Sequence, residues 1–198
     1  MVTGGAGGIG SGICEVLAEK GATVIVGYHS RRDEAVALAN RLPNEEARHS
    51  AHAVPVTDSA ALSTLARRLD EQYSRLDILV NCHGATRFVA AENLDALDDE
   101  LIDRMLATNV RGTFATVRAL HRLLARNGIG LVVNISSIAA TLAIGSNIMY
   151  CASKAAVDTL TRSLALALAP KVRVVALATH MTAVTGVIIP VDAGRSLS

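Results

Sequence analysis

Short apolar runs alternate with longer stretches of helical periodicity along the sequence, and this alternation constrains the fold more than any other feature. Strands are predicted at residues 1–2, 22–27, 51–56, 78–80 and 131–135, and helices at residues 9–20, 32–42, 59–73, 98–126 and 150–169. Strands that alternate with helices form a parallel sheet covered by helices on both faces. With 198 residues, of which 51% are hydrophobic, the chain can bury one sizeable core. We therefore expect a single α/β domain over residues 1–198, with a doubly wound parallel sheet.

A glycine-rich turn, Thr3-Gly4-Gly5-Ala6-Gly7-Gly8-Ile9-Gly10, lies between the first strand and the first helix. Glycines let the backbone approach a pyrophosphate, and a helix N-terminus supplies N–H donors to an anion. Strand, glycine turn, helix and strand together predict a Rossmann-like dinucleotide-binding unit. Candidate cofactor residues here are Gly4, Gly8, Ile9 and Gly10. Only two residues precede the turn, fewer than a buried strand usually has, so we expect that the sequence lacks its true start.

Three side chains at or after the fifth strand are candidate catalytic residues that would act together: Ser137, Tyr150 and Lys154. Tyr150 and Lys154 are four residues apart, on one face of a helix. A free tyrosine has a pKa of about 10 and is a poor base at neutral pH, but a nearby ammonium favours the phenolate. We expect Lys154 to lower the pKa of Tyr150, so that Tyr150 exchanges a proton with an alcohol or a carbonyl. Ser137 would hold the substrate oxygen.

With these residues in place, the chain resembles the short-chain dehydrogenase/reductase family, and in particular its 3-oxoacyl-[acyl-carrier-protein] reductase-like members. The glycine turn is similar to the family's cofactor motif, and Ser137, Tyr150 and Lys154 match its catalytic serine, tyrosine and lysine. The resemblance implies that Asn109, in Asn109-Val-Arg-Gly-Thr, is the fourth catalytic residue and holds a water in a proton relay. Residues 191–194, Val-Asp-Ala-Gly, resemble the closing strand motif. A homotetramer is the assembly that the family implies.

The function we expect is hydride transfer between a nicotinamide cofactor and a ketone or secondary alcohol, with Tyr150 as general acid or base. Lys154 would also bind the nicotinamide ribose, so Tyr150 and Lys154 are candidate cofactor residues too. A catalytically silent dinucleotide-binding sensor or scaffold of the same fold stays open as the alternative. A serine hydrolase does not fit, because the sequence has no Gly-x-Ser-x-Gly motif.

The residues after the second strand favour NADP(H) over NAD(H). An acidic residue at this point would bind the adenosine ribose and repel a 2′-phosphate. Here the chain reads Tyr28-His29-Ser30-Arg31-Arg32, and no carboxylate follows before Asp33. Ser30 can donate a hydrogen bond to a phosphate, and an arginine can bind it through charge-assisted bonds. Tyr28, His29, Ser30 and Arg31 are therefore candidate cofactor residues. Gly7 weakens this choice, because many NADP-binding relatives carry a basic residue there.

Two departures from the family pattern affect the site. The loop Asn81-Cys82-His83-Gly84 stands where the family usually has Asn-Asn-Ala-Gly. Asn81, His83 and Gly84 are candidate cofactor residues, although we expect the bulkier His83 to be a loop histidine that leans away. After Arg173 the family's Pro-Gly turn and substrate-binding segment are absent. Either that segment was deleted, or a mobile segment near residues 174–176 is omitted from the sequence in hand; we expect the second.

Charge and composition exclude several partners. A net charge of +1 gives no indication of nucleic acid or an acidic membrane. The three cysteines lack a Cys-x-x-Cys pair, so we expect no metal site and a reducing compartment. No secretory signal opens the chain, and we expect a cytoplasmic protein. The helix at 150–169 is apolar on more than one face, which independently favours a homo-oligomer.

Overall fold

The structure, a computed structural model, describes residues 1–179. Six parallel strands form one sheet in the order β3-β2-β1-β4-β5-β6. The strands are β1 Val2–Thr3, β2 Ile25–Tyr28, β3 Ser50–Ala53, β4 Ile78–Asn81, β5 Gly130–Ser137 and β6 Val172–Thr179. The chain leaves β1 in one direction to build β2 and β3, and in the other to build β4 to β6. Such a reversal opens a crevice at the carboxyl ends of the strands, where ligands bind in folds of this kind.

Seven α-helices connect and cover these strands in the described part of the chain. They are α1 Gly8–Glu19, α2 Arg32–Arg41, α3 Ser59–Tyr73, α4 Asp99–Met105, α5 Gly112–Leu124, α6 Ala139–Leu142 and α7 Ile148–Leu168. Adjacent strand residues point to opposite faces of the sheet. On β4, Leu79 packs with Leu62 of α3 and Leu120 of α5, whereas Val80 packs with Cys14 of α1 and Leu38 of α2. The predicted Rossmann-like sheet with helices on both faces is therefore confirmed.

The element boundaries follow local chemistry. Helix α3 has the predicted bounds, and it begins where the Asp58 carboxylate accepts hydrogen bonds from the backbone N–H groups of Ala60 and Ala61, at 2.9 and 3.0 Å. Strand β3 ends at Ala53, before the predicted residue 56, because Pro55 has no N–H to donate to a neighbouring strand.

The helix predicted at residues 98–126 is interrupted. Residues Leu106–Arg111 adopt a π-helical turn between α4 and α5, and Asn109 lies inside this turn. Single π turns within helices occur frequently at functional sites. The turn sets the direction of Asn109 and of the helix that follows it.

Strand β6 runs through the residues near which a missing segment is predicted. Residues Val172–Thr179 form an unbroken strand that pairs with β5 from Gly130 to Ser137. Residues 174, 175 and 176 pair with three consecutive residues of β5, and the omission of a segment near these residues stays a prediction. The absence of a substrate-binding segment stays a prediction. The motif at residues 191–194 lies outside the described residues.

Two features are absent from residues 1–179. In that range no helix combines the length and the apolar character needed to cross a membrane. Within the same range no three His, Cys, Asp or Glu side chains are grouped so that they could hold a metal ion. Cys14, Cys82 and Cys151 are free thiols.

Candidate active site

The glycine turn between β1 and α1 is shaped by close backbone contacts. Gly4 has a φ of +63°, in the left-handed region that favours glycine, and a Cβ on Gly10 would lie only 2.2 Å from the Gly4 carbonyl oxygen. A Cβ on Gly8 would meet nothing within 4 Å, so the turn is open on that side. No described side chain caps α1. The first N–H groups of this helix therefore face a space that an anion could enter.

Two grooves meet at this turn, at the carboxyl ends of the strands. We call them the Arg31 groove, of about 360 Å³, and the Tyr150 groove, of about 400 Å³. Both are lined by Gly4, Gly7, Gly8, Cys82, His83 and Gly84. From these shared residues one groove extends to His29, Ser30 and Arg31. The other extends past Ile9 and Gly10 to Tyr150 and Lys154. Most of the predicted site residues thus line one continuous crevice.

Another cavity, of about 330 Å³, lies at the amino ends of the strands. Met1, Val24 and Ile78 are among the residues that line it. It contains none of the predicted site residues, and it lies at the opposite end of the sheet from the crevice where chemistry is expected.

Tyr150 and Lys154 both lie on α7 and face the Tyr150 groove. The ammonium nitrogen of Lys154 lies 5.8 Å from the centre of the Tyr150 ring and donates a hydrogen bond of 2.7 Å to the Ile135 carbonyl oxygen. Ser137, the last residue of β5, lies close enough to Tyr150 to lower the pKa of the phenol, and its hydroxyl oxygen accepts from the Ala139 N–H at 3.2 Å. The structure therefore brings the predicted serine, tyrosine and lysine together.

The prediction that the pKa of Tyr150 is lowered is wrong. Burial raises the pKa of Tyr150 above its ordinary value, and the nearby Ser137 side chain only partly opposes this. Burial also lowers the pKa of Lys154, against smaller effects of Cys82 and Asp158 that raise it. The ammonium is directed at a backbone carbonyl, so desolvation of the phenolate outweighs attraction by the lysine.

Asn109 is almost completely buried, with 1% of its surface exposed. Its side-chain oxygen accepts from the Ala85 N–H at 2.7 Å, and its amide nitrogen donates to the Ala85 carbonyl and to the Ser153 hydroxyl, both at 3.0 Å. The side chain thus joins the wall of the groove to α7. The predicted relay water on Asn109 stays a prediction.

His83 does not lean away from the crevice as expected. Its Nδ1 lies 2.7 Å from the Thr3 hydroxyl oxygen, its Nε2 lies 3.5 Å from the Thr113 hydroxyl oxygen, and its ring lines both grooves. Burial and, to a smaller extent, the Lys154 charge lower the pKa of His83 to about 4, although a bond with the Thr108 backbone opposes them. A neutral imidazole therefore joins β1 to the helices at the junction of the grooves.

Two predicted cofactor residues do not line the crevice. The buried amide of Asn81 donates to the Asn134 side chain at 2.9 Å and accepts from the Thr116 hydroxyl at 2.7 Å, so it holds β4 to its neighbours. Tyr28 packs against the core beneath α1 and α2. For both residues, adjacency in sequence to groove residues gave the wrong expectation, because alternate strand positions face opposite sides.

Two residues near the Tyr150 groove were missed from the sequence. Thr86 lines the groove two residues beyond Gly84. Asn147 caps α7: its side-chain oxygen accepts from the Tyr150 N–H at 2.7 Å. An asparagine three residues before the tyrosine that opens a helix is a recognisable N-cap pattern, so this residue could have been found.

The chain is similar to known proteins along nearly all its length. The sequence profile described as short chain dehydrogenase matches residues 1–195. D-threitol dehydrogenase of Mycolicibacterium smegmatis is 37% identical over 165 residues, which cover 83% of this chain and 62% of that protein. The NAD-dependent glycerol dehydrogenase of Listeria innocua is 32% identical over 170 residues, which cover 86% and 64%.

A solved structure agrees with these matches. Gluconate 5-dehydrogenase from Burkholderia cenocepacia, in complex with NADP and tartrate, superposes with a TM-score of 0.80 at 28% identity, and the match covers 89% of this chain and 68% of that one. The chain spans under two thirds of the length of the two curated relatives named above. The sequence profile match and the shared fold nonetheless lead to one conclusion: this chain belongs to the short-chain dehydrogenase family.

Proposed function

We propose that this protein transfers a hydride between a nicotinamide cofactor, preferentially NADP(H), and a ketone or secondary alcohol, with Tyr150 as the general acid or base. The observation that carries the proposal is the continuity of the two grooves. One end opens on an arginine and the other on Tyr150 and Lys154, and the glycine turn at the start of a helix joins them. A dinucleotide has its phosphates in the middle and its two nucleosides at the ends, which suits such a crevice.

The protein's own groups supply the proton chemistry. The cofactor, when bound, supplies or accepts the hydride. In reduction the Tyr150 hydroxyl donates a proton to the carbonyl oxygen, and in oxidation the phenolate accepts one from the alcohol. Ser137, which lies close to Tyr150, orients the substrate oxygen beside the phenol. Lys154 keeps a positive charge beside the groove, where it offsets the negative charge of a phenolate.

Several observations support a place for the cofactor. Gly8 leaves open space at the N-terminus of α1, where a pyrophosphate could approach the N–H groups. Lys154 faces the groove at the other end, where its ammonium could donate a hydrogen bond to a ribose hydroxyl. For the adenosine end, His29, Ser30 and Arg31 line the crevice and are exposed, which supports recognition of a 2′-phosphate through charge-assisted bonds.

The proposed substrate class is a ketone or a secondary alcohol. The matched proteins carry the names of D-threitol, glycerol and gluconate dehydrogenases, so they share a reaction type rather than one substrate. The resemblance to 3-oxoacyl-[acyl-carrier-protein] reductase-like members stays a prediction about substrate.

A panel of ketones, aldehydes and alcohols tests the proposed function. Each compound is mixed with the protein and NADPH, NADH or the oxidised cofactors, and the absorbance of the reduced nicotinamide is followed. Turnover with at least one carbonyl, faster with NADPH than with NADH, is the expected result. Tight nucleotide binding without turnover of any compound would instead favour a silent sensor or scaffold.

Self-association is also part of the proposal. Phe114 and Leu106 are 39% and 37% exposed beside an apolar groove between the π-helical turn and α7, and Leu166 on α7 is 65% exposed. Burial of these side chains against another copy would remove apolar surface from water. We expect a homotetramer by light scattering at micromolar concentration, and a monomer would contradict this.

A cytoplasmic location is proposed on the three free thiols.

A further inference from the structure

Asn147 occupies an unusual position at the start of α7. It lies three residues before Tyr150 and is 3% exposed. Its side-chain oxygen accepts a hydrogen bond from the Tyr150 N–H at 2.7 Å. Its amide nitrogen donates in another direction, to the Arg87 carbonyl oxygen at 2.7 Å, and it lies 3.4 Å from the Thr86 hydroxyl. One buried amide therefore joins the backbone of Tyr150 to a separate segment of the chain.

Capping the helix would not by itself require this residue. Serine, threonine and aspartate cap helices about as well as asparagine, since a cap needs only an acceptor oxygen. The Asn147 site also uses a donor on the same side chain, because the Arg87 carbonyl accepts from its NH₂ group. Among the usual capping side chains, only asparagine has both an amide oxygen and an amide nitrogen. The bond that reaches Arg87 is thus additional to the capping function.

The segment that Asn147 holds is a wall of the Tyr150 groove. Ala85 and Thr86 line that groove. Asn109 binds both the N–H and the carbonyl of Ala85, and Asn147 binds the carbonyl of Arg87 two residues further on. The Val89 N–H donates to the Ser146 carbonyl at 2.7 Å and continues the same connection. The wall is therefore attached to the catalytic helix on both sides of Thr86.

We propose that Asn147 is a positioning residue that fixes the distance between the Tyr150 hydroxyl and the groove wall formed by residues 85–87. This inference rests on the proposed function, because it gives Asn147 a role in aligning the proton donor with the reacting carbonyl. Proton and hydride transfer require the donor, acceptor and substrate atoms to be aligned closely, and a displacement of about 1 Å can reduce a rate by about 100-fold. Asn147 contacts no reacting atom and acts through Tyr150.

Two substitutions separate the hydrogen bond from Asn147 to Arg87 from the capping of α7. Asn147→Ser and Asn147→Asp both keep an oxygen that can cap α7. The aspartate carboxylate has no donor for the Arg87 carbonyl, and the serine hydroxyl, on a side chain one atom shorter, cannot take the place of the amide nitrogen. Turnover is measured at saturating NADPH and carbonyl substrate below the unfolding temperature. We expect kcat to fall about 10- to 100-fold in both variants, with little change in the KM for NADPH, because the glycine turn and Arg31 are untouched. Asp58→Ala, which removes the remote cap of α3, should leave kcat unchanged.

Hydrogen exchange provides a second readout that does not depend on activity. In Asn147→Ser, backbone amides of residues 84–90 should exchange faster than in the wild type, while those in the middle of α7 stay protected. Normal kcat together with unchanged exchange at 84–90 would overturn the inference and leave the proposed function standing. If the wild type turned over no carbonyl, the proposed function would fail. The exchange result would then decide alone whether Asn147 holds the wall.

Discussion

The two ends of the crevice differ in how firmly the protein holds them. At the Tyr150 end, Lys154 and Asn109 are 6% and 1% exposed, and both are hydrogen-bonded to backbone groups of neighbouring elements. At the Arg31 end, His29, Ser30 and Arg31 are all exposed. At the Tyr150 end, burial and hydrogen bonds thus hold the side chains in place before a ligand binds. The Arg31 end, which is proposed to recognise the 2′-phosphate, is exposed to water.

This difference predicts two kinds of sensitivity. Removing a polar atom at the Tyr150 end leaves its buried hydrogen-bond partner unsatisfied. It also displaces side chains that must be aligned for the reaction, so kcat should fall steeply. Charges at the exposed end are screened by water and salt, so changes there should alter affinity moderately and depend on ionic strength. Each substitution below tests one side of this contrast.

The largest effect is expected for Tyr150→Phe. The change removes the hydroxyl proposed to transfer the proton and keeps the ring that packs beside Met105 and Val89. General acid–base catalysis contributes about 10²- to 10⁴-fold, and kcat should fall by a factor in this range. Fluorescence titration with NADPH should show nearly unchanged affinity.

The matched comparison is Lys154→Ala, which should reduce both turnover and cofactor affinity, since the ammonium is proposed to serve both. A Tyr150→Phe protein with close to normal kcat would remove Tyr150 from the mechanism. A loss of nucleotide binding in that variant would instead indicate that the ring holds the groove open.

An intermediate effect is expected at His83, where the two grooves meet. Its pKa is about 4 in the folded protein and 6.5 ordinarily, so the unfolded chain takes up this proton first as the pH falls. The contribution of His83 is fully present above pH ~6.5, and it is lost progressively down to pH ~4, by about 3 kcal/mol in total. Denaturant titrations across this range should show a shallower pH dependence for His83→Ala than for the wild type.

His29→Ala is the control for that experiment, because it removes an exposed imidazole and leaves His83 in place. Equal slopes for the wild type and His83→Ala would contradict a buried, neutral His83.

The smallest effect is expected for Arg31→Ala. A charge-assisted bond to a phosphate contributes about 1.5–3 kcal/mol, and exposure places Arg31 at the low end, so Kd for NADPH should rise about tenfold. Kd for NADH and kcat should hardly change, and added salt should reduce the difference between the variants. Arg32→Ala, one residue beyond the groove lining, is the control. Equal affinity of the wild type for NADH and NADPH would contradict the cofactor assignment.

The sequence predicts the architecture well because the relevant interactions are local or periodic. Apolar runs, the Asp58 cap and the glycine turn each act within a few residues, and α3 is found with the predicted bounds. The spacing of Tyr150 and Lys154 likewise places them on one helix face without knowledge of the rest of the chain.

What the sequence could not predict depends on long-range contacts. The pKa of Tyr150 depends on the burial of its side chain and on the direction of the Lys154 ammonium. Both depend on where β5 lies relative to α7. The position of the His83 ring depends on Thr3, 80 residues away. The hydrogen bond from Asn147 to the Arg87 carbonyl joins residues 60 positions apart. The sequence therefore indicates that Asn147 caps α7, but it does not indicate the bond to Arg87.

Isotope transfer tests the central claim most directly. NADPH that carries deuterium at the transferred position of the nicotinamide is incubated with the protein and a carbonyl compound that the panel identifies, and the alcohol is analysed by mass spectrometry. Direct hydride transfer in one crevice predicts a single deuterium on the carbon that bears the new hydroxyl, and its near absence with Tyr150→Phe. An alcohol formed without deuterium, or equal deuterium transfer by the Tyr150→Phe variant, would contradict the account.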